Sequence, residues 1–214
     1  MRQLLVFVLA CAINAANAQA PHAAMTSLKE VNTVAQQSLG AFAQLVNEGN
    51  YRLLGFESVD EVKTARAEAP IPVYMVRLDS LRAFTRGSDT AAILTPLEKA
   101  IVPVSVQGEV RSSVTVELRG GKWTAEGFGA PKLARALSKA RKDASASAPS
   151  DTYFAVHVAA LSSYFLGHRT AGRLMLTTIV DDTYLKVPAG RTLPADDVFA
   201  TLAAVAQQHN GLPM

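Results

Sequence analysis

An α+β fold, with antiparallel sheets covered by helices, follows from three features of this 214-residue sequence. Near the N-terminus apolar residues recur at intervals of three and four, as one face of a helix requires. Across residues 102–118 valines alternate with other residues, as a half-buried strand pair requires. The strand-and-turn segment 73–84 recurs without a gap at 153–164. Together these predict duplicated antiparallel meander-plus-helix units in two related lobes, with an N-terminal amphipathic helix bracing them.

The first eighteen residues read as a signal peptide. Arg2 supplies the positive start, Leu4 to Ile13 an apolar stretch too short to span a bilayer, and Ala16-Asn17-Ala18 a small-residue cleavage site. Cleavage there would leave 196 residues and remove Arg2, so 21 basic residues against 18 acidic become 20 against 18. Cys11, the one cysteine, would leave too, excluding disulfides, thiolate metal sites and cysteine nucleophiles from the exported chain. The expected location is the periplasm or the exterior. Val8-Leu9-Ala10-Cys11 also resembles a lipoprotein cleavage box, which would instead anchor a lipid on Cys11. No later apolar run is long enough for a membrane span.

From 19 to 50, Leu28, Val31, Ala35, Leu39, Phe42 and Val46 form the stripe of one amphipathic helix, closed by Asn47-Glu48-Gly49-Asn50. The first lobe is expected over 51–142. It begins with a strand, 52–56, and then a helix from Ser58 to about Glu68, with Ser58 and Glu61 as a capping box. A strand at 73–78 and a helical turn at 80–84 come next.

The meander over 102–128 has a register set by its turns. A two-residue Gly120-Gly121 turn puts Leu118 opposite Trp123 and Val116 opposite Ala125. A three-residue Gln107-Gly108-Glu109 turn puts Val106 opposite Val110, Val104 opposite Ser112 and Val102 opposite Val114. All the valines then share one face with Trp123, and Arg111, Glu117 and Glu126 take the other. A helix over 131–142 carries Leu133, Ala136, Leu137 and Ala140 as the stripe expected to cover that apolar face.

Residues 143–151, Asp-Ala-Ser-Ala-Ser-Ala-Pro-Ser-Asp, have nothing to pack and read as a flexible loop. The second lobe, 152–214, holds strands at 174–180 and 184–187 and a helix at 195–208. In the repeat, Val76 and Leu81 match Val156 and Leu161, and Tyr74/Phe154, Leu78/Val158 and Phe84/Tyr164 are like pairs. Gly55-Phe56 and Gly127-Phe128 each precede a helix.

This order, with Leu78-Asp79-Ser80-Leu81, Val102-Pro103-Val104, Gly121-Lys122-Trp123 and Phe128, resembles a known family. It is that of the small soluble intermembrane-space subunit of the chloroplast inner-envelope protein translocon and its cyanobacterial periplasmic relatives. Where the family's second Val-Pro-Val falls, this chain has Leu174-Met175-Leu176. The resemblance implies a duplicated periplasmic protein with chaperone-like binding of unfolded or outer-membrane clients and no catalytic site.

Catalytic signatures are sparse. Gly-X-Ser-X-Gly, Ser-X-X-Lys and His-Glu-X-X-His are all missing, and no catalytic, metal-binding or cofactor-binding set emerges. His157 and His168 are the candidates for a general base in a periplasmic hydrolase, His157 with Asp181 or Asp182 as partner; His157 also suits a solvent-facing strand position. Leu81, Phe84, Leu161, Tyr164 and Phe165 are the candidates to line a groove for an apolar peptide, or equally a core. Lys132, Arg135, Lys139 and Lys142 share one helical face and would dock on anionic lipid, lipopolysaccharide or an acidic partner. Exported location and the lack of interleaved aromatics argue against nucleic acid. The leading expectation is a non-enzymatic exported binding protein with a protein or peptide client, chaperone-like in envelope protein transport or assembly. The hydrolase and the anionic-surface docking module are the alternatives.

Overall fold

The computed structural model describes residues 20–145, 149 and 152–209, and for 20–26 only the backbone. The signal segment, Cys11 and most of the 143–151 loop lie outside the described residues.

The first helix, α1, spans Ala20–Leu45. Val31, Ala35, Leu39 and Phe42 of its stripe are buried, with Val46 just beyond it. The helix stops where Asn50 Nδ2 donates to the carbonyl of Leu45 at 2.8 Å and the Asn47 carboxamide accepts the Gly49 N–H at 2.9 Å. Those side-chain bonds fold 47–55 into successive turns, so the strand expected at 52–56 does not form. The helix expected from Ser58 shrinks to a 3₁₀ turn at Asp60–Thr64. No side chain caps it: the residue at its start is Val59, and the Glu61 carboxylate instead accepts the N–H of Glu57, upstream of the turn, at 2.6 Å, so the Ser58–Glu61 capping box does not form. The other Glu61 oxygen binds Arg111 Nε at 2.8 Å, which ties the turn to the sheet. Arg66–Ala67 (β1) then pairs with the sheet instead of extending the turn.

The sheet strands are β2, Ile71–Val76; β3, Leu94–Val106; β4, Glu109–Arg119; β5, Lys122–Gly129; β6, Phe154–Val158; β7, Ser163–Thr170; β8, Arg173–Thr178; and β9, Thr192–Pro194. Three more helices are α2, Leu78–Ala83; α3, Pro131–Asp143; and α4, Ala195–Gln208. The fold is α+β, and both meanders belong to one nine-stranded sheet ordered β5-β4-β3-β2-β6-β7-β8-β9, with β1 on β3. Every pairing is antiparallel except β2 with β6, which joins the two meanders in parallel. Both joining strands are apolar on both faces: Ile71, Val73, Val76, Ala155, Val156 and Val158 are all at most 3% exposed.

In the first meander the Gly120-Gly121 turn and the pairs Leu118–Trp123, Val116–Ala125, Val102–Val114 and Val104–Ser112 match the sequence reading. The other turn is two residues, not three. Gln107 and Gly108 both have positive φ, 52° and 83°, as a type I′ hairpin demands, so Val106 faces Glu109. A bulge at Val104/Ser105 absorbs the difference and sets Val110 opposite Ser105, not Val106.

Helix α3 does not cover the valine face. That face packs on α1, in a core where Phe42 stacks on Phe128 at 4.6 Å and meets Phe56 edge-on at 5.5 Å. Both Gly-Phe segments thus converge on α1. Residues Ala100 to Val106 are buried without alternation, so β3 needs cover on both sides, and α3 supplies the second. Leu137 and Ala140 pack there with Ile71, Ile101 and Leu166, and Ala134 is buried on the same side of the helix. Helix α4 packs with α2 on Val156, Val158, Phe165 and Leu176, forming the third core. Beyond β8, the strand expected at 184–187 is a loop: Asp182 Oδ1 accepts the N–H groups of Tyr184 and Leu185, and a single bridge joins Asp182 to Val187. Tyr164 and Phe165, both candidates to line one groove, are successive residues of β7 and therefore point to opposite faces.

Gly55 links three of these parts. Its φ is +98°, and a Cβ there would stand 1.9 Å from the Arg111 carbonyl oxygen and 2.6 Å from Pro131 Cβ. Gly55→Ala is expected to cost about 3 kcal/mol or more in urea unfolding, from overpacking added to left-handed strain. Gly87→Ala, with φ +88° but open space around it, is expected to cost only about 1–2 kcal/mol.

Candidate functional site

Helix α3 is built to present cations. Pro131 sits in its first turn, entered through Ala130 in the left-handed region. The inward stripe of Ala134, Leu137 and Ala140 fixes the opposite face outward, and there Lys132, Arg135, Lys139 and Lys142 are all exposed. Lys139 pairs with Asp143 at 2.6 Å, and Arg135 Nε donates to the Pro131 carbonyl at 3.2 Å. Arg141 lies between the faces and donates to the Ala69 carbonyl at 2.8 Å. With five basic residues and one acid, α3 carries a net charge of +4, in a chain whose total is +3.

A cleft opens on each flank of this ridge. On one side, a groove of about 340 Å³ runs between α3 and the Gln107-Gly108 hairpin, lined by Arg135, Lys139 and Lys142 with Glu109 and Val110 across from them. Towards the N-terminal end of α3, a cleft of about 360 Å³ lies between Lys132, Leu133 and Ala136, the start of β7, and the loop after β8. Tyr164, Ile179 and the 58% exposed Val180 line it. Asp181 and Asp182 stand at its rim, but both carboxylates accept loop backbone N–H groups.

The sequence candidates divide between this site and the core. Leu81, Phe84, Leu161 and Phe165 are at most 9% exposed, packed with Val198, Phe199 and Leu202 of α4. They form no open groove between strand and short helix, because α4 closes over them; Phe84 meets Phe199 edge-on at 5.6 Å. Leu161 and Phe165 reach only the inner wall of the cleft. Tyr164, on the other face, is half-buried and stacks on His157 at 4.1 Å between centroids, with the rings within 5° of parallel. Leu133, Ile179 and Val180 were not candidates from the sequence; only their adjacency to Lys132 and to Asp181-Asp182 could have pointed to them.

Among the described residues, neither histidine has the partner a general base needs. His157 sits among Tyr164 and Lys99, and its proton affinity is lowered by burial and then by the Lys99 charge. Lys99 itself binds Glu117 at 2.9 Å. His168 is 2% exposed, tilted against Tyr153, with Nδ1 unbonded. Among the described residues, no carboxylate or hydroxyl is hydrogen-bonded to either ring.

No family model, curated protein or solved structure matches the chain. No described helix is long and apolar enough to cross a membrane.

Burial holds the His168 pKa below the ordinary imidazole value. The unfolded chain takes up this proton near pH 6.5, the folded chain only at lower pH. Stability from this group is therefore full above about pH 6.5 and is lost as pH falls towards the folded pKa. Urea midpoints measured at pH 7.5 and 5.5 are expected to fall less for His168→Leu than for the unaltered chain; equal falls would count against a neutral buried imidazole.

Proposed function

We propose that the chain is an exported, chaperone-like binding protein that engages its client, an acidic and partly apolar polypeptide, along α3. The observation that carries this reading is the alignment of Lys132, Arg135, Lys139 and Lys142 on one exposed ridge between two clefts. Cations on the ridge attract the client over a distance set by ionic strength, and the cleft at Tyr164, Ile179 and Val180 accepts an apolar side chain. At about 360 Å³ that cleft holds a side chain or two rather than a folded surface, which fits an extended segment. The resemblance to the translocon subunit and its periplasmic relatives points the same way.

Anionic lipid or lipopolysaccharide is a second reading, favoured by the exposure of Val180 beside the Lys132 end of the cleft. A surface that pairs cations with a protruding apolar residue also suits a headgroup layer.

Reduced, carboxymethylated α-lactalbumin, an acidic unfolded chain, serves as the probe. Its binding is expected to weaken about tenfold or more on reversing Lys132, Arg135 and Lys139 to Glu, and to weaken as salt rises from about 0.05 M to about 0.5 M. Val180→Asp is expected to weaken it with a smaller salt dependence. Binding that is indifferent to both salt and charge reversal would remove the proposal; capture by phosphatidylglycerol vesicles but not by the unfolded chain would transfer it to the lipid reading.

A further inference from the structure

The parallel pair at the centre of the sheet makes a second site, independent of α3. Val76 and Val158, the last residues of β2 and β6, are register partners, so the two strands end level with each other. Beyond them the chain diverges. Strand β2 continues through α2 towards β3 on one side, and β6 continues through the 3₁₀ turn Ala159–Leu161 towards β7 on the other. Two parallel neighbours whose connections leave in opposite directions cannot both fill the space beyond their carboxyl ends, which is why ligands of open sheets gather there. Here that space is a crevice of about 510 Å³, within the range of about 300–1,000 Å³ usual for small-molecule sites.

Its walls are mostly apolar, from Met75, Leu78, Ala159 and Ala160. Three charged residues join them. Arg77 and Asp79 neutralise one another across 3.3 Å, both largely in water. Arg82 differs from them. Its Nε donates to the Ala206 carbonyl at 2.9 Å and its Nη2 to the His209 carbonyl, while its own carbonyl accepts Gln207 Nε2 at 2.8 Å. The guanidinium is thus pinned against the end of α4, and among the described residues its remaining N–H groups have no acceptor. Among the described residues it has no carboxylate within ion-pair distance.

A fixed cation at the wall of an apolar crevice recognises a singly charged anion on an apolar chain. Pinning lowers the entropy lost when the anion binds, and a guanidinium matches the two oxygens of a carboxylate. The neighbouring Asp79 disfavours a doubly charged head such as a phosphate monoester. We propose that this crevice binds a small monocarboxylate with a linear apolar chain, of medium-chain fatty-acid chemistry. Its carboxylate sits on Arg82, and its chain lies along Met75, Leu78 and the Ala159-Ala160 turn.

Calorimetric titration of the full chain with decanoate, decanol and decylamine tests this. Decanoate is expected to bind about tenfold or more tightly than decanol, and decylamine not at all. Arg82→Gln should bring decanoate down to the level of decanol, with Arg82→Lys intermediate. Because Arg82 also holds the end of α4, a second variant leaves it untouched: Ala159→Trp, on the exposed turn, fills the crevice and should abolish binding of decanoate and decanol alike. Equal binding of decanoate and decanol, no decanoate binding at all, or decanoate binding unchanged by Ala159→Trp would each overturn the proposal.

Discussion

The parallel pairing of β2 with β6 is the constraint on which the rest depends. Each strand is the inner end of an antiparallel meander, and pairing them in parallel fuses the two meanders into one sheet. A strand in that position has neighbours on both edges and no solvent face, so it must be apolar at successive residues rather than alternate ones. Ala155 and Val156 meet that demand at successive residues, and Val73, Val76 and Val158 are buried too, while Tyr74, Met75 and His157 between them stay half-buried. The sheet therefore needs helices on both faces, and the chain places α1 and α4 on one and α3 on the other. The same pairing leaves the crevice beyond Val76 and Val158.

Among the described residues α3 is the one helix on its face, and this separates its two sides sharply. Ala140 is small enough to let it lie close to the cluster of Ile71, Ile101 and Leu166, with Leu137 filling between. Its outer side is free of packing duty and carries the cations. Local stability does not account for all of them. Arg141 and Lys142 in the last turn complement the helix dipole, and Lys139 is paired with Asp143. Lys132, however, lies in a first turn that has no acid, where a cation opposes the dipole, and Arg135 has no acidic partner among the described residues. Arg135 gains one intrahelical bond, from its Nε to the Pro131 carbonyl, and neither residue has an acidic partner within the helix, which is consistent with the proposed docking role of this ridge.

Much of the fold was legible where a single element or turn specifies itself. The stripe of α1 and the Gly120-Gly121 register came directly from spacing, and so did the outward face of α3, since spacings of three, four and three allow no other geometry. Legibility ended where a second, distant segment decides the outcome. Leu81, Phe84, Leu161 and Phe165 have the same pattern whether they line a groove or fill a core, and the cover that decides it is α4, far along the chain. Val110 changed face because of one bulged residue, which alternation cannot reveal. The two clefts and the crevice were hidden for the same reason: each is bounded by segments that only the assembled sheet brings together.

The ends of that sheet favour the proposed α3 surface over an edge. A client that adds a strand needs a long, flat edge with free backbone groups. One edge here is β9, three residues long and closed by Pro194, too short to template a partner. The other is β5, which is longer but is bent by the bulge at Thr115/Val116, charged at Glu126 through its pair with Arg119 at 3.0 Å, and packed by α1. Bulge, charge and cover are the devices that keep an edge from pairing. With both edges blunted and α1, α3 and α4 lying on the two faces, the outer side of a covering helix is the surface that suits the proposed client, and among the described residues α3 combines aligned cations with a cleft on either flank.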